Sequence, residues 1–316
     1  TMSKYDEWEA RKEGFISSAY PLTTEAEDSE VKDLFELKGY LEGFVKELFA
    51  FFLEGFSEYF DRNKKGAIRL ISSMEYPPEF VLRKILHQAS FDLTVIQRAI
   101  EQRNIQTLDD QLKIFNKLAC LAIYNSSLGS PHSSLESPPA PGLIKPVKPF
   151  VYFQRDTSVR IVPYANVLFI GVPYMALEQP LDILSIPHEI GHHVYQQGRF
   201  SATEPIKLTL EKQFACKPTW LRAWLEEIFA DIYGFLITGP ITGFTIQDIL
   251  SDNLPSGLVM DDGVHPVGVI RPYIYTELLR LTGNKGLAIY LDGKWDEKRK
   301  ETGISQLKCL AQNIEV

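Results

Sequence analysis

Cysteine is scarce in this chain of 316 residues: there are three, Cys120, Cys216 and Cys309, far apart and odd in number. No Cys-x-x-Cys pair occurs, which argues against a zinc ribbon and a disulfide framework. Reduced, buried thiols in a reducing compartment are the expectation. Long apolar runs are missing too. The richest stretch, residues 41–60, is broken by Glu42, Lys46, Glu47, Glu54 and Glu58, and falls short of the ~20 apolar residues that cross a bilayer. Residues 1–9 carry charges where a secretory signal needs an apolar core, and Thr1 ahead of Met2 reads as a remnant of expression. A soluble, cytoplasmic protein with no membrane partner is expected. Positive charge is in deficit: 33 Lys and Arg stand against 41 Asp and Glu, a net charge of −8 with a pI near 5.4. That argues against a nucleic-acid partner, whose recognition needs a basic face. An acidic excess can favour basic substrates, but it is more often a solubility feature.

What remains is an ordinary globular composition, 45% hydrophobic and 23% charged, in a length that builds one large or two modest domains. From about residue 30 to 124 the pattern is helical, with Leu34, Leu37, Leu41, Phe44, Val45, Leu48, Phe49 and Phe52 at 3-and-4 spacing. Residues 77–103 form a second such run behind Pro77-Pro78, and residues 107–124 a third, with Thr107 as N-cap and Asp109 and Asp110 in its first turn. Nothing in these helices carries chemistry. Their aromatics are expected in a core, His87 is a lone helical histidine, and His132 falls in a Ser/Pro/Gly-rich stretch that reads as linker. The expected division is a helical unit over 1–125, a linker or loop over 126–149 and a further domain over 150–316. Short strands are expected at 151–155 and 159–163 around the Asp156-Thr157-Ser158 turn, and another over 165–173. Residues 283–316 read as helix, loop and a last helix over 304–314.

The six histidines include one pattern with chemistry in it, His188-Glu189-Ile190-Gly191-His192. On a helix His188 and His192, four apart, share a face and can hold one metal ion. Glu189 stands on the flank of that face, where a carboxylate can take a proton from a metal-bound water. Pro187 requires the helix to start near Ser185 or to kink, and Gly198 is a natural stop. Gly191 weakens the helix but admits another backbone close by. His193 points about 100° away from His192 and is expected outside the ligand set. Downstream, Glu226-Glu227-Ile228-Phe229-Ala230-Asp231 lies on a second amphipathic helix, with Glu227 and Asp231 four apart.

The pairing of HEIGH with EEIFAD resembles the gluzincin branch of the zincin metallopeptidases, of which thermolysin is the best-known type. The resemblance spans roughly residues 163–275. It implies an α+β, predominantly helical fold: a zincin-like catalytic domain, with a small sheet, an active-site helix and a glutamate helix, preceded by an N-terminal helical unit. It implies zinc held by His188, His192 and Glu227, with Glu189 as general base and Asp231 orienting a ligand histidine. Glu226 stands where the family often has Asn, so Glu226 and Glu227 both stay open as the ligand; Glu227 is preferred because only it places an Asp four residues on. Asp261-Asp262-Gly263-Val264-His265 resembles the turn whose histidine steadies the oxyanion in thermolysin-like enzymes, with the Asp-to-His spacing one residue shorter, or two if Asp262 is the partner. Tyr273 and Tyr275 are alternatives to His265, and Arg271 can hold a substrate carboxylate. Zincin domains also place a strand along the cleft rim that pairs with extended peptide, and residues 165–173, with Asn166 a candidate substrate contact, are similar in place; an ordinary core strand is the equal alternative. A metzincin site would need a histidine where Gly198 stands, a deformylase-type site an upstream cysteine ligand, and an aminopeptidase a G-x-M-E-N motif; none is present. The expected activity is zinc-dependent hydrolysis of a peptide or protein substrate. The alternatives are a zinc-binding regulator with one dedicated partner, or a hydrolase of non-peptide amides. Oligomeric state is left open.

Overall fold

The computed structural model describes residues 3–18, 29–61, 63, 76–127, 143–201, 203–304, 306–309 and 312–315. Expectations that fall on residues 128–142, His132 among them, lie outside this set. The fold is α+β and mostly helical, in two compact units: Thr1–Asp110 with Val162–Asn166, and Gln111–Ile161 with Val167–Val316.

In the first unit α1 (Lys4–Ser18), α2 (Ser29–Gly55), the single turn α3 (Ser57–Phe60) and α4 (Pro78–Arg103) pack around Trp8, Phe49, Leu53 and Leu82. Pro78 opens α4 where a missing N–H costs nothing. Arg103, at the other end, buries its side chain against Glu30 at 3.0 Å. α5 (Gln106–Ser127) starts one residue before the expected cap, so Thr107 lies inside the helix. Its Cys120, like Cys216 elsewhere, is exposed, which overturns the expected burial for these two thiols.

The second unit is built on a sheet of β1 (Lys148–Gln154), β2 (Ser158–Ile161) and β3 (Val167–Pro173) in the order β1-β3-β2. β1 and β2 do not form the hairpin that their short turn suggests. Both pair with β3 instead, β1 parallel to it and β2 antiparallel. The Gln154 amide pins that corner by donating to Asp156 O and Ser158 Oγ, each at 2.6 Å. β3 is therefore the central strand, its middle five residues buried, as are those of β1. Near-continuous apolar strands of this kind are covered on both faces. The expectation that 165–173 is a rim strand open to peptide is corrected: both its edges are taken, and the exposed Asn166 precedes it within the segment grouped with the first unit.

Two 3₁₀ turns (Tyr174–Leu177 and Pro180–Leu184) lead into α6 (Ser185–Gln197). Beyond it come the short pair β4 (Arg199–Ser201) and β5 (Glu204–Pro205), then α7 (Ile206–Gln213), α8 (Thr219–Ala223), α9 (Leu225–Thr238), α10 (Ile241–Ser251), the turn α11 (Pro255–Leu258), α12 (Arg271–Leu281) and α13 (Lys285–Glu301). Phe235, Tyr275, Leu279 and Leu291 seal α9, α12 and α13 together. The expected last helix over 304–314 is replaced by an antiparallel pair, β6 (Gln306–Cys309) and β7 (Gln312–Glu315). Gly303, at φ +69°, ends the helical path ahead of it. No described helix is long and apolar enough to cross a membrane.

Candidate metal centre

The site forms where α6 lies along α9. Pro187 is the third residue of α6, in the first turn, where its missing N–H breaks no helical bond. Ser185 does not cap the helix but sits inside it, its hydroxyl donating to Asp182 O at 2.6 Å. Small residues set how closely the two helices approach. A Cβ on Gly191 would stand 2.7 Å from Ala230 Cα, and one on Gly234 only 3.3 Å from the His188 backbone nitrogen. Without side chains at these positions, His188 and His192 come directly over the first two turns of α9.

There the two ring Nε2 atoms lie 3.2 Å apart. The Glu227 carboxylate faces both, with Oε2 3.5 Å from His188 Nε2 and Oε1 3.4 Å from His192 Nε2. Glu227, not Glu226, occupies this place. Glu227 is buried, and its Oε2 accepts no hydrogen bond from protein. Glu189 flanks the pair, with His188, Glu189 and His192 each bringing a ligating atom within 4.8 Å of the others. Burial raises the Glu189 carboxyl above the ordinary carboxylate range.

Behind each imidazole stands a carboxylate. His188 Nδ1 is 3.0 Å from Asp231 Oδ1, though its N–H is not aimed squarely at that oxygen. His192 Nδ1 is 3.2 Å from Glu226 Oε1, and Glu226 also accepts from Gln196 at 2.6 Å. A carboxylate against Nδ1 places the proton there and leaves the Nε2 lone pair facing the centre. The sequence raised Glu226 only as the alternative ligand; its supporting position against His192 had no signal beyond adjacency to Glu227.

Asp231 is the hub below. It is fully buried and takes Arg271 bidentately at 2.8 and 2.6 Å and the Tyr275 hydroxyl at 2.7 Å. Burial pushes its carboxyl up, but Arg271 and His188 outweigh that and hold it far below the usual range. Burial likewise works against the His188 imidazolium, but Asp231 and Glu227 raise that ring to about 9 in the protein without metal. Arg271 is thus tied to Asp231, with Glu227 Oε2 3.8 Å away, instead of being free for a substrate carboxylate. Tyr275 donates inward to Asp231, and Tyr273 turns its hydroxyl to Asp296 at 2.5 Å. Neither tyrosine replaces His265 as a donor at the centre.

His265 does reach it. Val269 N donates to Leu258 O at 2.9 Å, closing the neck of the loop that carries the Asp261–His265 turn. At its tip Gly263 takes φ +77°, a conformation that favours glycine. Asp262 Oδ1 accepts from the backbone nitrogens of Val264 and His265 at 2.9 and 2.8 Å, and Oδ2 lies 2.6 Å from His265 Nδ1. So Asp262 is the partner; burial works to raise its carboxyl, but the bonds from His265 and Val264 together outweigh that and hold it at about 2. The other ring nitrogen, Nε2, lies 3.4 Å from Glu227 Oε1. His193, about 100° round α6 from His192, is buried, and burial lowers the pKa of its ring.

Compared with known proteins, the chain matches no family model, no curated protein and no solved structure.

Proposed function

We propose that this chain is a zinc-dependent hydrolase of peptide bonds, with a zincin-like catalytic unit and active groups similar to those of the gluzincins. One observation carries the reading: the Nε2 atoms of His188 and His192 and the two oxygens of the buried Glu227 carboxylate are gathered at one place, with Glu189 beside them. Three basic groups so close repel one another unless a proton or a metal cation lies between them. Neighbouring ligand atoms on one zinc ion stand about 3.3–3.4 Å apart; here the two Nε2 atoms are 3.2 Å apart, with Glu227 Oε2 3.5 Å from the His188 ring and Oε1 3.4 Å from the His192 ring. Histidine nitrogen and carboxylate oxygen suit zinc, so the residues fit the metal that the motif implies.

Zinc held by His188, His192 and Glu227 would act as a Lewis acid and bring the pKa of water towards neutrality. The chain's own groups do the rest. Glu189, its basicity raised by burial, takes the proton of the attacking water and passes it to the leaving nitrogen. Asp231 and Glu226 hold the two imidazoles in the ligating tautomer. His265, in its imidazolium form with Nδ1–H donating to Asp262, presents Nε2–H to the carbonyl oxygen as negative charge develops, a donor worth about 3–4 kcal/mol in the transition state.

The test is digestion of an unbiased peptide mixture by the zinc-loaded chain, read by mass spectrometry beside Glu189→Gln. The parent is expected to cut, and the variant to hold one zinc and cut about 10²–10⁴-fold more slowly. A second reading, hydrolysis of a non-peptide amide, gains from the central position of β3, both of whose edges are paired so that it cannot take an extended chain, although β2 keeps one open edge. A parent that holds zinc and leaves every peptide intact would decide for it.

A further inference from the structure

A cavity of about 560 Å³ opens beside the centre, within the range of ordinary small-ligand pockets, with His188, Asp231, Arg271 and Tyr275 in one wall. The facing walls come from the 3₁₀ turn before α6 and from α10. They mix two kinds of surface. Met175, Leu181, Ile246 and Ile249 offer aliphatic contact, and Asp182, Asp248 and Asp252 add three carboxylates. None of these three makes an ion pair or accepts a side-chain hydrogen bond among the described residues. Asp248 on α10 and Asp252 at its C-cap are exposed, four residues apart, while Asp182 in the 3₁₀ turn is half-buried. Burial raises the Asp182 carboxyl, the mark of an anion short of a counterion. Among the residues lining the cavity the one arginine or lysine is Arg271, and Asp231 already pairs with it bidentately.

A cavity that is aliphatic along its sides, carries unpaired negative charge, and shares a wall with His188 suits one class of side chain: a long apolar stem ending in a cation. We propose that it is the specificity pocket of the site and selects substrates with a lysine or arginine next to the bond that is cut. The stem packs on Met175, Leu181 and Ile246 while the charged head meets the carboxylates, the usual division of such side chains. An aliphatic side chain would leave Asp182 without a partner, and an acidic one would be repelled by all three. The proposal rests on the hydrolase reading above for its setting, but the pocket can be tested without catalysis.

The probes are Nα-acetyl methylamides of lysine, norleucine and glutamate, titrated calorimetrically into the zinc-loaded Glu189→Gln chain. Lysine is expected to bind about tenfold more tightly than norleucine, the worth of one partly desolvated ion pair, and glutamate more weakly than either. In the triple variant Asp182→Asn, Asp248→Asn, Asp252→Asn the lysine advantage is expected to fall below about twofold, with norleucine unchanged. If the triple variant fails to fold, the exposed Asp248→Asn alone is expected to cut the advantage measurably. Equal binding of lysine and norleucine, no measurable lysine binding, or an advantage untouched by these substitutions overturns the pocket. The two readings fail separately. Peptide cleavage without preference for Lys or Arg beside the cut removes the pocket and leaves the peptidase. Lysine-selective binding with no peptide cut removes the peptidase and leaves the pocket.

Discussion

Three histidines at this site each have Nδ1 against a carboxylate: His188 with Asp231, His192 with Glu226 and His265 with Asp262. The arrangement turns three Nε2 atoms towards the Glu227 carboxylate. It also separates the roles of two adjacent glutamates. Glu227→Ala removes a ligating group, so stoichiometric zinc binding is expected to be lost in equilibrium dialysis. Glu226→Ala leaves the ligand set whole and frees only the His192 ring, so a 10–100-fold weaker affinity is expected. Equal losses in the two variants would mean that Glu226 ligates as well. Asp231→Asn tests the hub below them. It leaves Arg271 largely buried with no full negative charge to meet it, which costs about 3–5 kcal/mol when such a pair is broken. A denaturant titration showing less than 1 kcal/mol would mean that Arg271 finds Glu227 or solvent instead.

The crossing of α6 over α9 positions these residues, and two glycines set its distance. A methyl group at Gly191 would meet Ala230 Cα, a backbone atom that can yield only if the helices part. At Gly234 the nearest atom is 3.3 Å off and a few tenths of an ångström suffice. Gly191→Ala is therefore expected to destabilise by about 1–3 kcal/mol and weaken zinc binding, and Gly234→Ala to do less of both. Thermal unfolding and dialysis of the two variants would check the order, and the reverse order would place the close contact elsewhere. Periodicity made both helices legible in the sequence, because ligands four residues apart must share a helical face, and Gly191 already signalled a close neighbour. Strand pairing was not legible. A short connection joins β1 to β2 and another joins β2 to β3, and only the registry of both outer strands onto β3 shows which is central. The same non-local pairing decided the Asn166 segment. At the C-terminal end, Ile304, Leu307 and Ile314 fit helical spacing as well as they fit alternating strands, and the positive φ of Gly303 broke the tie. The ties of Arg271 and Tyr275 to Asp231 join positions 40 and 44 residues apart, a separation beyond the reach of any local pattern.

At the scale of the whole molecule, the zinc reading would link metal and stability, because the proposed ligands come from two helices and an ion that binds only the folded chain would hold it together. Free zinc at a hundred times its dissociation constant adds about 2.7 kcal/mol. The size of that gain depends on pH through His188, whose ring sits at about 9 without metal against an ordinary 6.5. The folded pKa is raised, so the protonated ring stabilises the metal-free fold fully below pH 6.5, and this contribution is lost as pH climbs through 9. Zinc needs the same ring neutral, so at pH 7 it must displace a proton that the fold holds tightly. Both effects act in one direction: rising pH weakens the metal-free protein and eases metal entry. The gap in unfolding temperature between zinc-loaded and chelator-treated chain is therefore expected to widen from pH 6.5 to 8.5, with close to one proton released per zinc bound at pH 7.5. Calorimetry in buffers of different ionisation enthalpy measures the proton, and thermal scans measure the gap. A gap that stays constant with pH, with no proton released, would mean that the His188 ring is neutral before the metal arrives and that Asp231 and Glu227 do not hold its charge.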